Sequence, residues 1–205
     1  AGKSTLIRLL AGLLPLQSGN IQWRENPITK ARRDIAYIPQ VDQHQRNFPI
    51  RVKDVVAMGR FPHLGHLRQF RKIDHEKIDE AINLMNLGDI VHRQIDQLSG
   101  GQQQRTFIAR ALAQEAHVLL LDEPFNGLDI ESRYHLSDSL LDLTKSGHLI
   151  IASHHQLESV TQIFTHALVL DRQQVEFGEA TKVMEGESVR HTLYSCLPQA
   201  HERAL

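Results

Sequence analysis

Apolar positions recur along this chain in two rhythms. Val118-Leu119-Leu120-Leu121 and Leu149-Ile150-Ile151-Ala152 are continuous apolar runs, the pattern of strands covered on both faces in a parallel sheet. Ile35-Ala36-Tyr37-Ile38 is a third strand closing at Pro39, and Ile21-Gln22-Trp23 alternates as a short one after the turn-like Ser18-Gly19-Asn20. Between the strands the spacing changes to three and four residues. It predicts helices over residues 5–13, around Val52, Val55 and Val56, and through Ile78, Ala81, Ile82 and Met85. Phe107, Ile108, Ala111 and Leu112 continue a helix from Ser99, a residue suited to capping it. Leu136, Leu140 and Leu143 mark another, ending at Ser146-Gly147 where glycine can take the left-handed cap, and Leu157, Val160 and Phe164 mark one more. Residues 167–170 and 175–177 form a hairpin across Asp171-Arg172-Gln173. Alternating strands and helices define an α/β fold.

Two places in this pattern carry chemistry. The run of residues 118–121 ends in Asp122-Glu123-Pro124, and the carboxyl ends of buried parallel strands are where open α/β sheets bind ligands. Leu98-Ser99-Gly100-Gly101-Gln102 opens a helix whose unpaired N–H groups and positive dipole end face an anion, with two glycines that permit close approach. Composition narrows the partners. With 205 residues, 41% of them hydrophobic, the chain can bury a substantial core and reads as one domain. Its 23 basic and 24 acidic residues leave a formal net charge of −1, so nucleic acid is not the expected partner. Cys196 is the only cysteine, which excludes an internal disulfide and fits a reducing compartment. No apolar stretch approaches the roughly 18 to 20 residues that cross a bilayer, and no signal peptide is visible, so a membrane role has to come through a partner. The thirteen histidines include His63, His66, His75, His191 and His201, but none, with or without Cys196, has metal-site spacing; packing or solvated roles are expected.

Leu98 to Arg105 resembles the signature motif of ABC-type ATPases, His117 to Pro124 their Walker B segment, and Gly127-Leu128-Asp129 their D-loop. Gly2-Lys3-Ser4 resembles the last part of a phosphate-binding P-loop, whose first glycine would lie upstream of residue 1. Gln40 resembles the Q-loop glutamine and His154 the H-loop histidine, with His155 standing where the family usually has Asp. The resemblance covers nearly the whole chain. It implies a P-loop NTPase fold of the ABC ATPase type: a mainly parallel sheet flanked by helices, a small antiparallel β subdomain, and a helical subdomain inserted at residues 46–105 between core segments 1–45 and 106–205. The text from Phe48 to Gly65, with Arg93-Gln94-Ile95 and residues 111–116, is similar to the importer branch serving manganese, zinc or iron.

The resemblance also implies roles. Gly2, Lys3, Ser4 and Thr5 would hold the phosphates of ATP, with Ser4, Gln40 and Asp122 serving Mg²⁺. Glu123 would polarise the attacking water, with His154 on the γ-phosphate and Gln40 sensing the occupied site. Ser99, Gly100, Gly101 and Gln102, together with Asp129, would contact nucleotide across a head-to-tail dimer with a second ATPase subunit. A transmembrane permease and a solute-binding protein are the further partners implied, placing the chain on the cytoplasmic face of a membrane. Two other readings remain open at this point: a soluble ABC ATPase outside transport, and a nucleotide-binding module without turnover. With half of its phosphate loop, the 205-residue chain alone is expected to bind ATP weakly, hydrolyse it negligibly and dissolve poorly.

Overall fold

The computed structural model describes residues 2–40, 49–64, 69–187 and 189. Phe48, Gly65, His66, His191, Cys196 and His201, singled out above, lie outside the described residues. Two compact units are present, Ser4–Ser153 and a second comprising His154–Leu205 with Ala1–Lys3.

The first unit is built on three parallel strands in the order β3 (Ile35–Ile38), β4 (Val118–Leu121) and β5 (Leu149–Ala152). Every residue of β4 is buried, as a central strand flanked on both edges requires. β5 departs from expectation: Leu149 is 43% exposed and its other three residues are half-buried. Among the described residues β5 is bonded on one edge only, to β4, and its faces are incompletely covered. Helix α1 (Lys3–Leu10) sends Ile7 into a cluster with Ala31, Ile35, Val118 and Leu120, and Trp23 packs against it. Each of the larger aliphatic side chains contributes about 1.5–3 kcal/mol when fully buried. The helix is shorter than its periodicity, because Gly12 turns left-handed (φ +65°) and the Leu13 N–H returns to the Arg8 carbonyl at 2.9 Å.

β1 (Gln22–Trp23) pairs antiparallel with β2 (Asn26–Pro27), a strand the sequence does not announce. Arg24 and Glu25 form its turn with φ of +47° and +66°, a conformation normally signalled by Asn-Gly. Stacking of Arg24 on the Trp23 ring, 5.2 Å from its centroid, accompanies the turn.

Helices α2 (Val52–Ala57), α3 (Lys72–Leu84) and α4 (Gly100–Ala113) pack together, joined by a 3₁₀ segment at Met58–His63. A buried guanidinium ties them. Arg60 is paired with Asp74 of α3 at 3.0 Å, donates to the Ala113 carbonyl of α4 at 2.8 Å, and meets Glu115 at 2.7 Å. At Gly59 a Cβ would overlap the Arg110 carbonyl of α4, so the segment approaches as closely as it does only because this residue is glycine. His63 Nε2 lies 2.9 Å from the Gln114 carbonyl, and the ring of the exposed His75 lies 5.7 Å from Phe70. Helix α5 (Ile130–Lys145) turns Leu136, Leu140 and Leu143 inward and ends as the sequence predicts, with Gly147 at φ +95°.

In the second unit, α6 (Leu157–Ile163) precedes an antiparallel pair, β6 (His166–Asp171) and β7 (Gln173–Glu179), and then α7 (Ala180–Glu185). The pair is the expected hairpin, longer than the two apolar runs because its ladder reaches His166 and Glu179.

Candidate functional site

Ladder register brings the site together. Ile38 pairs with Leu121 and Leu121 with Ala152, so residues 39–40, 122–123 and 153 leave one edge of the sheet at one level. The ladder continues a step beyond the strands: the Asp122 N–H donates to Ile38 at 3.0 Å and the Ser153 N–H to Leu121 at 2.9 Å. At that level Asp122 is buried and receives two hydroxyl donors on Oδ1, Ser4 Oγ at 3.0 Å and Ser153 Oγ at 2.6 Å. Gln40 is exposed two residues beyond β3.

Ser153, which follows the 149–152 run to this same edge, is the member to which no motif assigns a role. It belongs to no motif, and its only sequence signal is its place directly after an apolar strand run. In the structure its hydroxyl does two things at once, donating to Asp122 and accepting the Glu123 N–H at 2.8 Å. Glu123 has φ +49°, a left-handed conformation costing a non-glycine residue roughly 1–2 kcal/mol. The hydrogen bond from its own N–H, and one from Asn126 Nδ2 to Glu123 Oε2 at 3.3 Å, oppose that cost.

The signature residues gather elsewhere in the same unit. Ser99 caps α4 in a reciprocal box: the Gln102 N–H donates to Ser99 Oγ at 3.3 Å, and the Ser99 N–H donates to Gln102 Oε1 at 3.0 Å. This uses one acceptor of the hydroxyl and leaves its O–H able to donate outward. Gly100 and Gly101 are the first residues of α4. Asp129 caps α5, accepting from the Ser132 N–H at 2.7 Å and from Ser132 Oγ at 3.0 Å. The Ser132 backbone bond, followed by its side-chain bond, holds the Asp129 carboxyl below the usual range. Lys3 opens α1, with Gly2 before it at φ +113° and Thr5 exposed in its first turn. In the second unit, His154 Nε2 lies 2.7 Å from Ser159 Oγ and its ring packs edge-on against Phe164 at 5.7 Å.

A helix start whose Ser4 is hydrogen-bonded to the acid that follows a central parallel strand fits an α/β protein of the P-loop class. The match to known proteins is narrower. Residues 1–126 match the family model described as ABC transporter. The manganese transport system ATP-binding protein MntB of Halalkalibacterium halodurans is 38% identical over 192 residues, covering 94% of this chain and 76% of that protein. The zinc transport system ATP-binding protein TroB of Treponema pallidum is 38% identical over 190 residues, covering 93% and 71%. Among solved structures, a metal-chelate type ABC transporter in an inward-facing conformation superposes with a TM-score of 0.82 at 31% identity, covering 95% of this chain and 73% of that one. The chain belongs to the ABC transporter family.

Proposed function

We propose that this chain is the ATP-hydrolysing subunit of an importer that carries a metal cation, manganese, zinc or iron. The observation that carries the reading is the convergence of Ser4 and Ser153 on Asp122, one residue before Glu123. Gly2, Lys3, Ser4 and Thr5 offer the start of α1 to the phosphates of ATP, Lys3 as a point charge and the others through N–H and hydroxyl groups. Mg²⁺ fits the remaining donors: a serine hydroxyl and a carboxylate are hard oxygen ligands of the kind that ion takes alongside water and phosphate. Bound there, it would neutralise charge on the phosphates, and Ser4 and Asp122 are the residues that would hold it. Glu123 orients and polarises the attacking water, with His154 contributing to the γ-phosphate and Gln40 reporting occupancy from the end of β3.

Ser99, Gly100, Gly101 and Gln102 serve a second nucleotide. The outward O–H of Ser99 and the N–H groups of the α4 first turn favour phosphate, and with Asp129 they meet the ATP held by a second copy in a head-to-tail dimer. Residues 1–45 and 106–205 act as the nucleotide-binding core and residues 46–105 as its helical subdomain. Among the described residues no helix is long and apolar enough to cross a membrane, and we assign transport to a partner permease, fed by a solute-binding protein, with this chain on its cytoplasmic face. The cargo rests on the names of the relatives and on the likeness of the helical segment. Uptake of manganese, zinc and iron by cells lacking the protein tests it: the full-length wild-type protein should restore one of them and its Glu123→Gln variant should restore none. Restoration by both would overturn the reading.

A further inference from the structure

Gly100 and Gly101 both have φ outside the left-handed region, so neither needs to be glycine for the sake of backbone conformation. Space distinguishes them. A Cβ on Gly100 would lie 3.3 Å from Leu128 Cδ2, a side-chain end that can give way. On Gly101 it would lie 2.9 Å from both Cβ and Oγ of Ser132, in the first turn of α5, closer than side-chain carbons approach. Ser132 has little freedom to retreat. Its N–H and its hydroxyl are both bound to the Asp129 carboxylate, at 2.7 and 3.0 Å, and its Cβ belongs to a helix whose inner face is held by Leu136, Leu140 and Leu143.

We propose that Gly101 and Ser132 form an intrachain joint, in which Ser132 is a positioning residue fixing the phosphate-facing start of α4 to the Asp129-capped start of α5. Two segments far apart in sequence then meet a second copy of the chain as one rigid surface. Gly101 is glycine for a neighbour in its own chain, and not only for the nucleotide it would face across the dimer. The inference rests on the dimer reading given above, and its test separates the two.

The test uses the full-length protein carrying Glu123→Gln, in which ATP and Mg²⁺ are expected to accumulate a dimer measurable by light scattering. Gly101→Ala in that background should raise the ATP needed for half-maximal dimer at least tenfold, while Ser132→Gly alone, which loosens the joint without a clash, should raise it by a smaller factor, about three- to fivefold. Combining them should restore dimer formation, because the nearest remaining atom of residue 132 would be its Cα at 3.8 Å, an ordinary contact. A double variant no better than Gly101→Ala would mean the added methyl acts on the partner's nucleotide, and would overturn the joint. Should the Glu123→Gln reference remain monomeric, the dimer reading fails; thermal unfolding of the same monomers still decides the joint. The double variant should then unfold at a higher temperature than the two single shifts add up to, and simple additivity would refute the contact.

Discussion

Replacing Ser153 by alanine deletes one oxygen and adds no bulk, yet it removes two hydrogen bonds on adjacent carboxylate residues. Asp122 keeps Ser4 as a donor but loses the shorter contact, a bond to a charged acceptor of the kind that contributes roughly 1.5–3 kcal/mol. The Glu123 N–H loses its acceptor in a part-buried setting, at about 1 kcal/mol. That second loss acts on a backbone already left-handed at φ +49°, so relaxation towards ordinary φ becomes favourable and turns the Glu123 side chain away from its present direction. Taken together about 2.5–4 kcal/mol is removed, divided between stability and the ordering of Glu123. In the full-length protein kcat for ATP should therefore fall by about 10- to 100-fold, with the Kd for ATP changed by less than about threefold. Urea unfolding should report a loss of about 1–3 kcal/mol. Ser153→Thr, which keeps the hydroxyl, should recover most of both. Turnover within twofold of wild type for the alanine variant, or a threonine variant as impaired as alanine, would refute the role.

Glu123→Gln keeps size and loses basicity, so it should retain ATP binding, abolish most hydrolysis and accumulate an ATP-bound dimer on size-exclusion chromatography; near-normal turnover would end the assignment. Ser99→Arg or Gly100→Asp should spare nucleotide binding to the monomer while blocking dimer formation and turnover, and equal loss of monomer binding would place that site within one chain. Arg60→Met strands the fully buried Asp74 with only Arg71 beside it, and urea unfolding should show a loss of about 3–5 kcal/mol; a change below about 1 kcal/mol would show that the network is dispensable. The Arg71 N–H first, then the Arg60 and Arg71 side chains, hold the Asp74 carboxyl below its usual range against the opposing effect of burial. Its contribution to stability is accordingly complete above about pH 4, the ordinary carboxylate value, and lost as pH falls through the depressed one, so Asp74→Asn should flatten that acid limb in a pH series of unfolding midpoints.

The parallel sheet and its helices are legible in the sequence because burial on both faces leaves an unbroken apolar run and a helix leaves a stripe, as β4 and α5 show. Turn chemistry is where legibility ends. Arg24-Glu25 takes a two-residue hairpin conformation without asparagine or glycine, stacked under Trp23, and nothing local announces β2. The half-exposed β5 shows the converse, since apolar spelling records a residue's tolerance for burial and not the cover its faces receive. Motifs single out Ser4, Asp122 and Glu123, whereas Ser153 can be placed at the same strand edge from sequence but gains its partners only when register sets it beside Asp122. Arg60 is missed for the same reason: its partners Asp74, Ala113 and Glu115 lie 14 to 55 residues away.

The ladder that levels residues 122 and 153 also determines which insertions and deletions this gene can survive. Strand residues alternate in direction, so losing one residue inside β4 would advance the chain by a single step and present Glu123 to the hydroxyls of Ser4 and Ser153 where Asp122 now stands. Both carboxylates would still be encoded and the strand would still be apolar, yet the longer side chain would occupy the shorter one's place and Pro124 would follow where an N–H must reach Ser153. Length changes are therefore forbidden within the four residues of β4, a frame of reading imposed by geometry on top of the genetic one.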